Sequence, residues 1–301
     1  METPIRGLYA ALLTHRSRDG SVDFGAIERN AEFALSNGAV GLVPCGGTGE
    51  YFDLSIAERQ ELVEVLVPVV RGRASLVAGV GAAKLEESAK LAHHALAAGA
   101  DAVLLPPPHF FRYGQPELRQ FFREAAAAIG GPTLVYNLAG FVSPISPSTA
   151  ADLLRDEEYI VGIKDSSGTL AMLRQVTRER IPCARLQGHD KRLAESLQEG
   201  FADGAISGPA GVVPEALAPL FEDPTGGPRF TTAAKRLEEF LRRLQGLPYP
   251  WVLKWAASLR GWGRATMPFP LSQGHIQDRK EFESWFEQWL ASGEVSRGDP
   301  S

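Results

Sequence analysis

The sequence predicts an α/β fold, a (β/α)8 TIM barrel with a C-terminal all-helical appendage. Eight short apolar runs do not alternate with polar residues, which is typical of parallel strands buried on both faces. Amphipathic helical segments separate the runs, and Gly38, Gly99 and Gly200 stand where helix C-termini need a positive φ. The chain has 301 residues, which is enough for a barrel of about 250 residues and an appended region.

The predicted strands are residues 7–14, 39–46, 75–81, 101–107, 133–137, 160–165, 184–188 and 203–208. Eight evenly spaced strand–helix units favour a closed barrel over a doubly wound open sheet, which is the alternative architecture. A Pro/Gly-rich break, "EDPTGGPR" at 222–229, ends the strand pattern, and the segments after it are helical. We therefore predict a barrel domain over residues 1–224 and a helical region over residues 225–301.

Composition excludes several classes of function. The formal net charge is −5 and no Lys/Arg cluster occurs, so neither nucleic acid nor an anionic membrane is an expected partner. No segment reaches about 18 uninterrupted apolar residues, the length that indicates a membrane-spanning helix. The two cysteines, Cys45 and Cys183, lie far apart, and no Cys/His spacing typical of metal ligands occurs. This pattern predicts a cytoplasmic protein without disulfide bonds or a bound metal.

The predicted strand ends carry the residues that suggest chemistry, because the site of such a barrel lies at the C-terminal ends of its strands. Lys164 ends the sixth run, Tyr136 lies near the end of the fifth, and the turn "CGGTGE" at 45–50 follows the second. An amine can attack a carbonyl carbon to form a Schiff base, and a phenol can transfer the protons. Amide N–H groups on a tight turn can bind a carboxylate. Together these groups suit a 2-oxo acid.

Each of these residues also has a structural explanation. Lys164 could be a partly exposed residue ion-paired with Asp165, and Tyr136 a half-buried aromatic whose hydroxyl is satisfied. The glycine-rich turn could be a turn alone, and it lacks the G-K-[ST] of a phosphate-binding loop. Asp190 is better explained as the N-cap of the helical segment that follows it than as a ligand contact.

Three motifs together resemble those of the dihydrodipicolinate synthase/N-acetylneuraminate lyase family. They are "CGGTGEYFDLS", "VYN" and "VGIKDSSG", in that order, and "PYPWVLKWAASLRG" is similar to the C-terminal helical region of the family. The likeness covers roughly residues 7 to 290. It implies a class I Schiff-base lyase or aldolase on a TIM barrel, assembled as a homotetramer or homodimer, that needs no cofactor.

The resemblance also implies residue roles. Lys164 would form the Schiff base with a 2-oxo acid such as pyruvate, and Tyr136 would shuttle protons. The turn at Gly47 and Thr48 would hold the carboxylate of the substrate. The predicted substrate-binding residues are Gly47, Thr48, Ser166, Gly188 and Ile206.

Three positions depart from the family pattern. Gly47 replaces the first of two hydroxyl residues, which relays protons with the tyrosine. Phe141 stands about where synthases carry an arginine that binds the carboxylate of the aldehyde substrate. Phe110 best matches a tyrosine that crosses a subunit contact, with Tyr113 as a shifted substitute.

These departures favour aldol cleavage or dehydration of a 2-keto-3-deoxy sugar acid, as in keto-deoxy acid aldolases or 5-dehydro-4-deoxyglucarate dehydratases. 4-Hydroxy-tetrahydrodipicolinate synthase and N-acetylneuraminate lyase are alternative activities. A catalytically degenerate barrel that only binds a 2-oxo acid is a further alternative. So is a phosphate-binding barrel enzyme such as an isomerase, for which "SGPAGVVPE" could form a phosphate nest but "GHDKR" could not.

Overall fold

The computed structural model describes residues 5–267 and 270–294. Eight parallel strands pair in chain order, and β8 closes the barrel by pairing with β1. The closed barrel confirms the predicted fold class, and the doubly wound alternative is wrong. The strands are β1 Gly7–Ala11, β2 Gly41–Val43, β3 Ser75–Gly79, β4 Ala102–Leu105, β5 Thr133–Asn137, β6 Ile160–Asp165, β7 Ala184–Gln187 and β8 Gly204–Ser207.

Each predicted run contains one observed strand, and the runs at 133–137 and 160–165 coincide with β5 and β6. The run at 39–46 extends past β2, because the residues after Val43 leave the hydrogen-bonded ladder and turn. The apolar pattern continues into this turn because its first residues are buried as well. The pattern of apolar residues therefore predicted the position of each strand correctly, but it extended some strands beyond their observed ends.

Helices alternate with the strands, and α1 to α7 each follow the strand of the same number. Gly38, Gly99 and Gly200, predicted to follow helix C-termini, have φ values of 98°, 117° and 67°. The helices are α1 Phe24–Ser36, α2 Ile56–Val70, α3 Leu85–Ala98, α4 Gln115–Ile129, α5 Pro147–Asp156, α6 Ala171–Arg178, α7 Leu193–Gln198, α8 Pro214–Leu217, α9 Pro219–Glu222, α10 Pro228–Arg243, α11 Trp251–Leu259 and α12 Gln273–Glu294.

Apolar side chains fill two layers around the barrel wall. One layer lies inside the barrel and includes Tyr9, Leu104, Leu186 and Ile206. The other lies between the strands and the surrounding helices. The strands are therefore buried on both faces, which explains why their sequences do not alternate.

The appended helices α10 to α12 confirm the helical segments predicted after the Pro/Gly-rich break. Aromatic contacts join α11 to α12, and the Trp255 and Phe282 ring centroids lie 5.9 Å apart. Lys254 on α11 forms a salt bridge with Glu50, and their side chains are only 2% and 3% exposed. This buried pair fixes α11 against the turn that follows β2.

The apolar core is continuous between the barrel and the appended helices. The division into residues 1–224 and 225–301 as separate domains stays a prediction. Cys45 and Cys183 are buried free thiols, as expected of a chain without a disulfide framework. Over the described residues, every helix is too short or too polar to cross a membrane.

Candidate active site

A cavity of about 830 Å³ opens at the C-terminal ends of the barrel strands. Its walls come from the strand ends, from the turn after β2 and from the segment that precedes α11. The cavity brings together every residue predicted for the site: Gly47, Thr48, Tyr136, Lys164, Ser166, Gly188 and Ile206.

Lys164 and Tyr136 lie side by side in the barrel wall. Their Cα atoms are register partners on β6 and β5, so both side chains point to the same side of the sheet. Lys164 is 5% exposed, and its Nζ atom lies 4.2 Å from the centroid of the Tyr136 ring. This distance is that of a cation–π contact between the amine and the electron-rich face of the ring.

Asp165 does not pair with Lys164. Its carboxylate accepts hydrogen bonds from Asn137 Nδ2 at 2.8 Å and from the Ser167 hydroxyl at 2.9 Å. Burial raises the pKa of Asp165, and these hydrogen bonds oppose the rise. The interpretation of Lys164 as a partly exposed residue paired with Asp165 is therefore wrong.

Gly188 gives the Lys164 side chain its space. A Cβ atom at Gly188 would lie 2.7 Å from Lys164 Cε and would overlap the Ser166 hydroxyl. The Ser166 Oγ atom is buried and has no hydrogen-bond partner among the described residues. An unpaired buried hydroxyl beside the lysine is available to a ligand in the cavity.

The turn after β2 presents free amide groups to the cavity. The N–H groups of Gly49 and Glu50 donate to carbonyl oxygens of the turn itself, each at 3.1 Å. Within the described chain, the N–H groups of Gly47 and Thr48 donate to no protein acceptor. Two neighbouring unpaired N–H groups at a cavity wall are suited to bind a carboxylate.

The absence of a side chain at Gly47 leaves space beside the Tyr136 phenol. A Cβ atom at Gly47 would lie 3.8 Å from the Tyr136 hydroxyl oxygen and would meet no other atom within 4 Å. Position 47, where the resemblance leads us to expect a hydroxyl residue, therefore faces the Tyr136 phenol but carries no hydroxyl.

The predicted N-cap role of Asp190 is wrong. Asp190 begins a short 3-10 helix, Asp190–Arg192, whose N-cap is His189. The Asp190 carboxylate lines the cavity and accepts a hydrogen bond from the Ser207 hydroxyl. Burial raises the pKa of Asp190 to about 6, while the Ser207 hydrogen bond and the charge of Lys164 oppose the rise.

Tyr249 also lines the cavity and was missed by the sequence reasoning. It lies in the appended region, just before α11, within a segment that the sequence identified only as a resembling helix. Burial raises the pKa of the Tyr249 phenol, helped by the charge of Asp190 and opposed by a hydrogen bond with the Thr48 side chain. No local sequence signal distinguishes it from a packing residue.

Phe141 and Phe110 are the other two residues that depart from the pattern of the resembled family. Phe141 lines the cavity and is 77% exposed, so position 141 itself presents no guanidinium there. Phe110 is 93% exposed on the loop after β4, outside the residues that line the cavity. Among the described residues, no group of three or more His, Cys, Asp or Glu side chains could hold a metal ion.

Comparisons with known proteins show the family to which the chain is similar. A family model described as the dihydrodipicolinate synthetase family matches residues 4–288. A 4-hydroxy-tetrahydrodipicolinate synthase of Bartonella bacilliformis is 32% identical over 275 residues, which is 89% of this chain and 92% of the relative.

Two solved structures show the same likeness. The dihydrodipicolinate synthase of Aquifex aeolicus superposes with a TM-score of 0.87 at 26% identity, over 95% of this chain and 98% of that chain. A chloride-inhibited dihydrodipicolinate synthase of Acinetobacter baumannii, complexed with pyruvate, superposes with a TM-score of 0.85 at 27% identity, over 94% and 99%. The chain therefore belongs to the dihydrodipicolinate synthase family and is a class I Schiff-base lyase.

Proposed function

We propose that the protein uses Lys164 to form a Schiff base with a 2-oxo acid, with pyruvate as the simplest substrate, and that it makes or breaks the adjacent carbon–carbon or carbon–oxygen bond. The single observation that carries the proposal is the position of the lysine. Lys164 is 5% exposed, lies at the base of an 830 Å³ cavity and has the Tyr136 ring 4.2 Å from its amine.

The chemistry follows from these groups. The Lys164 amine adds to the C2 carbonyl to give a carbinolamine, whose hydroxyl takes a proton from Tyr136 and leaves as water. The iminium ion that remains withdraws electrons from C3. When a C3 proton or a C3–C4 bond is lost, the electron pair is held as an enamine. Addition of a proton or of a carbonyl carbon at C3 converts the enamine back to an iminium ion, and hydrolysis of that iminium ion returns the free lysine.

The remaining site residues bind and shape the substrate in this proposal. The unpaired N–H groups of Gly47 and Thr48 donate hydrogen bonds to the carboxylate. The unpaired Ser166 hydroxyl donates to the bound acid. Gly188 leaves room for the lysine stem, and Ile206, which is 1% exposed, forms an apolar wall.

The first reaction to test is the 4-hydroxy-tetrahydrodipicolinate synthase reaction. Curated relatives at about this similarity carry that name, including the Bartonella protein at 32% identity. This support is stronger than the support for the sugar-acid activity favoured by the sequence. Against it stands Phe141, which supplies no cation for the carboxylate of the aldehyde partner.

Cleavage or dehydration of a 2-keto-3-deoxy sugar acid is the second candidate. The Asp190 carboxylate and the Ser207 hydroxyl form a hydrogen-bonded pair next to the lysine. Such a pair can bind the hydroxyl groups of a polyhydroxylated chain. Family membership argues against the phosphate-binding isomerase, and the degenerate binding barrel remains an outcome of the test.

Borohydride trapping tests the proposal. Wild-type protein incubated with pyruvate and borohydride should gain the mass of one reduced pyruvate adduct on Lys164. Lys164→Met should gain none, and Lys191→Met, which removes an exposed lysine of the same cavity, should react like wild type. Absence of the adduct from wild-type protein with pyruvate and with keto-deoxy acids would refute the proposal.

A panel of 2-oxo acids then assigns the reaction. Pyruvate with aspartate semialdehyde tests the synthase, and release of pyruvate or carbon dioxide from keto-deoxy acids tests the lyase and the dehydratase. An adduct with no turnover on any of them would identify the binding barrel. A cytoplasmic location and assembly into a homotetramer or homodimer are part of this proposal.

A further inference from the structure

Tyr249 is one of the tyrosines that line the cavity with Tyr136. Tyr249 as a residue is 46% exposed, but its hydroxyl end is inserted between barrel elements. A Cβ atom at Gly208 would overlap the Tyr249 hydroxyl oxygen and would lie 3.3 Å from Thr48 Oγ1. The phenol therefore occupies the space that a side chain at position 208 would fill.

Thr48 connects this phenol to the turn. The Thr48 Oγ1 atom and the Tyr249 hydroxyl both border the space beside Gly208. Beside the larger effect of burial, hydrogen bonding with the Thr48 side chain lowers the pKa of the Tyr249 phenol, and the charge of Tyr136 raises it. Thr48 is also the neighbour of Gly47, whose missing side chain would face Tyr136. Thr48 thus connects the Tyr249 phenol to the neighbouring position, Gly47, where a relay hydroxyl is absent.

A buried anchor holds Tyr249 in this position. Two residues further along the chain, Trp251 Nε1 donates to Glu50 Oε2 at 2.8 Å. One turn later, Lys254 forms its buried salt bridge with Glu50 Oε1. Glu50 belongs to the same turn as Thr48 and has a φ of 55°. The start of α11 is therefore fixed to the turn at two points, Trp251 and Lys254. These contacts hold Tyr249, just before α11, beside the turn.

We propose that Tyr249, acting with Thr48, is a proton-relay residue of the Schiff-base reaction that compensates for the side chain missing at Gly47. This inference rests on the proposed function of Lys164. In this proposal the Tyr249 hydroxyl takes the role of the hydroxyl that is absent at position 47. Tyr249 and Lys164 belong to the same chain.

The proton balance is closed. Tyr136 gives a proton to the carbinolamine hydroxyl, which leaves as water, and the Tyr136 phenolate accepts the C3 proton when the iminium ion becomes the enamine. The Tyr136 phenol then exchanges this proton with solvent through Thr48 and Tyr249, each hydroxyl passing one proton on as it receives another. When the enamine takes a proton back at C3, Tyr136 supplies one that came from solvent, and the net charge of the relay is unchanged. Burial raises the pKa of Tyr249, so the phenol is protonated at neutral pH.

Hydrogen–deuterium exchange at the methyl group of pyruvate tests the relay, because each exchange needs a proton to pass between C3 and solvent. In heavy water, Tyr249→Phe should slow enzyme-catalysed exchange by about 100-fold. It should still give the full borohydride adduct at equilibrium and a nearly unchanged KM for pyruvate. Tyr159→Phe, which removes the phenol of a tyrosine with 39% exposure outside the cavity lining, should exchange like wild type.

Two further variants separate a relay from a structural role. Gly47→Thr in the Tyr249→Phe background should recover at least tenfold of the lost exchange rate, because its hydroxyl would stand beside Tyr136. Gly208→Ala should slow exchange in the wild-type background by displacing the phenol, and should have little further effect in Tyr249→Phe.

The outcomes distinguish this inference from the proposed function. If wild-type protein is not trapped by pyruvate, the Schiff-base proposal has failed. If it is trapped and exchanges the methyl protons, and Tyr249→Phe does so at the wild-type rate, the relay is refuted and the proposed function stands. Slow exchange in Tyr249→Phe without rescue by Gly47→Thr would also overturn the relay in favour of a packing role.

Discussion

Gly188 lies against the side chain of Lys164, so close that a Cβ atom at position 188 would stand 2.7 Å from Lys164 Cε. The contact joins the end of β7 to the end of β6. The position of the Lys164 amine therefore depends on the absence of a side chain at position 188.

Gly188→Ala is expected to displace the lysine amine. A shift of about 1 Å in a reacting group can cost on the order of 100-fold in rate, so the rate of borohydride trapping should fall by about that factor. Gly140→Ala is the matched control, because Gly140 lines the same cavity and a Cβ atom there would meet nothing within 4 Å. Equal trapping rates in the two variants would show that Gly188 does not position the lysine.

Removing one partner of the Glu50–Lys254 pair should destabilise the protein strongly. Both side chains are almost fully buried, so Lys254→Ala leaves an unpaired buried carboxylate and should lower the free energy of unfolding by about 3–5 kcal/mol. Arg242→Ala breaks a pair whose side chains are 66% and 72% exposed and should cost below about 1 kcal/mol. Urea unfolding measures both, and a loss in Lys254→Ala no larger than in Arg242→Ala would contradict the anchoring role.

Asp190 should make the folded protein less stable as the pH rises, which is the opposite of the usual effect of a carboxyl group. Its pKa is raised from 3.8 to about 6 in the folded protein. Between these values the folded state binds more protons than the unfolded state, so this carboxyl lowers the free energy of unfolding as pH rises. Asp190→Asn should therefore be more stable than wild type by about 3 kcal/mol at pH 7, with the difference lost as the pH falls to about 4.

Urea unfolding of wild type and Asp190→Asn at both pH values checks this expectation. Other buried groups, including His15 with its pKa lowered by burial to about 4, titrate in both proteins and cancel in the difference. The asparagine oxygen can still accept from Ser207, so the hydrogen bond is kept. A stability difference that is the same at pH 4 and pH 7 would show that the carboxyl titrates normally.

The aromatic pair on the loop after β4 should contribute to assembly. Phe110 is 93% and Phe111 66% exposed, and their ring centroids lie 4.9 Å apart. Because Phe110 also holds a φ of 83°, which is uncommon for a residue with a side chain, the loop presents the ring outward at a conformational cost. We expect Phe110→Asp with Phe111→Asp to reduce the oligomer to a smaller species.

Sedimentation equilibrium of the double variant gives the mass directly. Ile276→Asp, at an exposed apolar residue of α12 with 41% exposure, is the control and should keep the wild-type mass. A wild-type protein that is already monomeric would refute assembly as a homotetramer or homodimer, and an unchanged oligomer in the double variant would place the contact elsewhere.

The sequence by itself determined the barrel and the centre of its candidate site. Strand patterns are local, and parallel strands joined by single helices place their C-terminal ends on one rim, so Lys164, Tyr136 and the turn at 45–50 could be brought together without coordinates. The register of Tyr136 against Lys164 then follows from the pairing of β5 with β6.

The tertiary structure alone decided what surrounds that centre. The sequence interpreted Asp190 as a helix cap, but its carboxylate is bound by Ser207 from the next strand. Tyr249 reaches the cavity because the buried Glu50–Lys254 pair fixes the start of α11 to the turn after β2. Contacts between residues far apart in the chain leave no periodic trace in the sequence, since either partner alone is an ordinary polar residue. Packing and charge pairing in the folded chain therefore determined which groups complete the site.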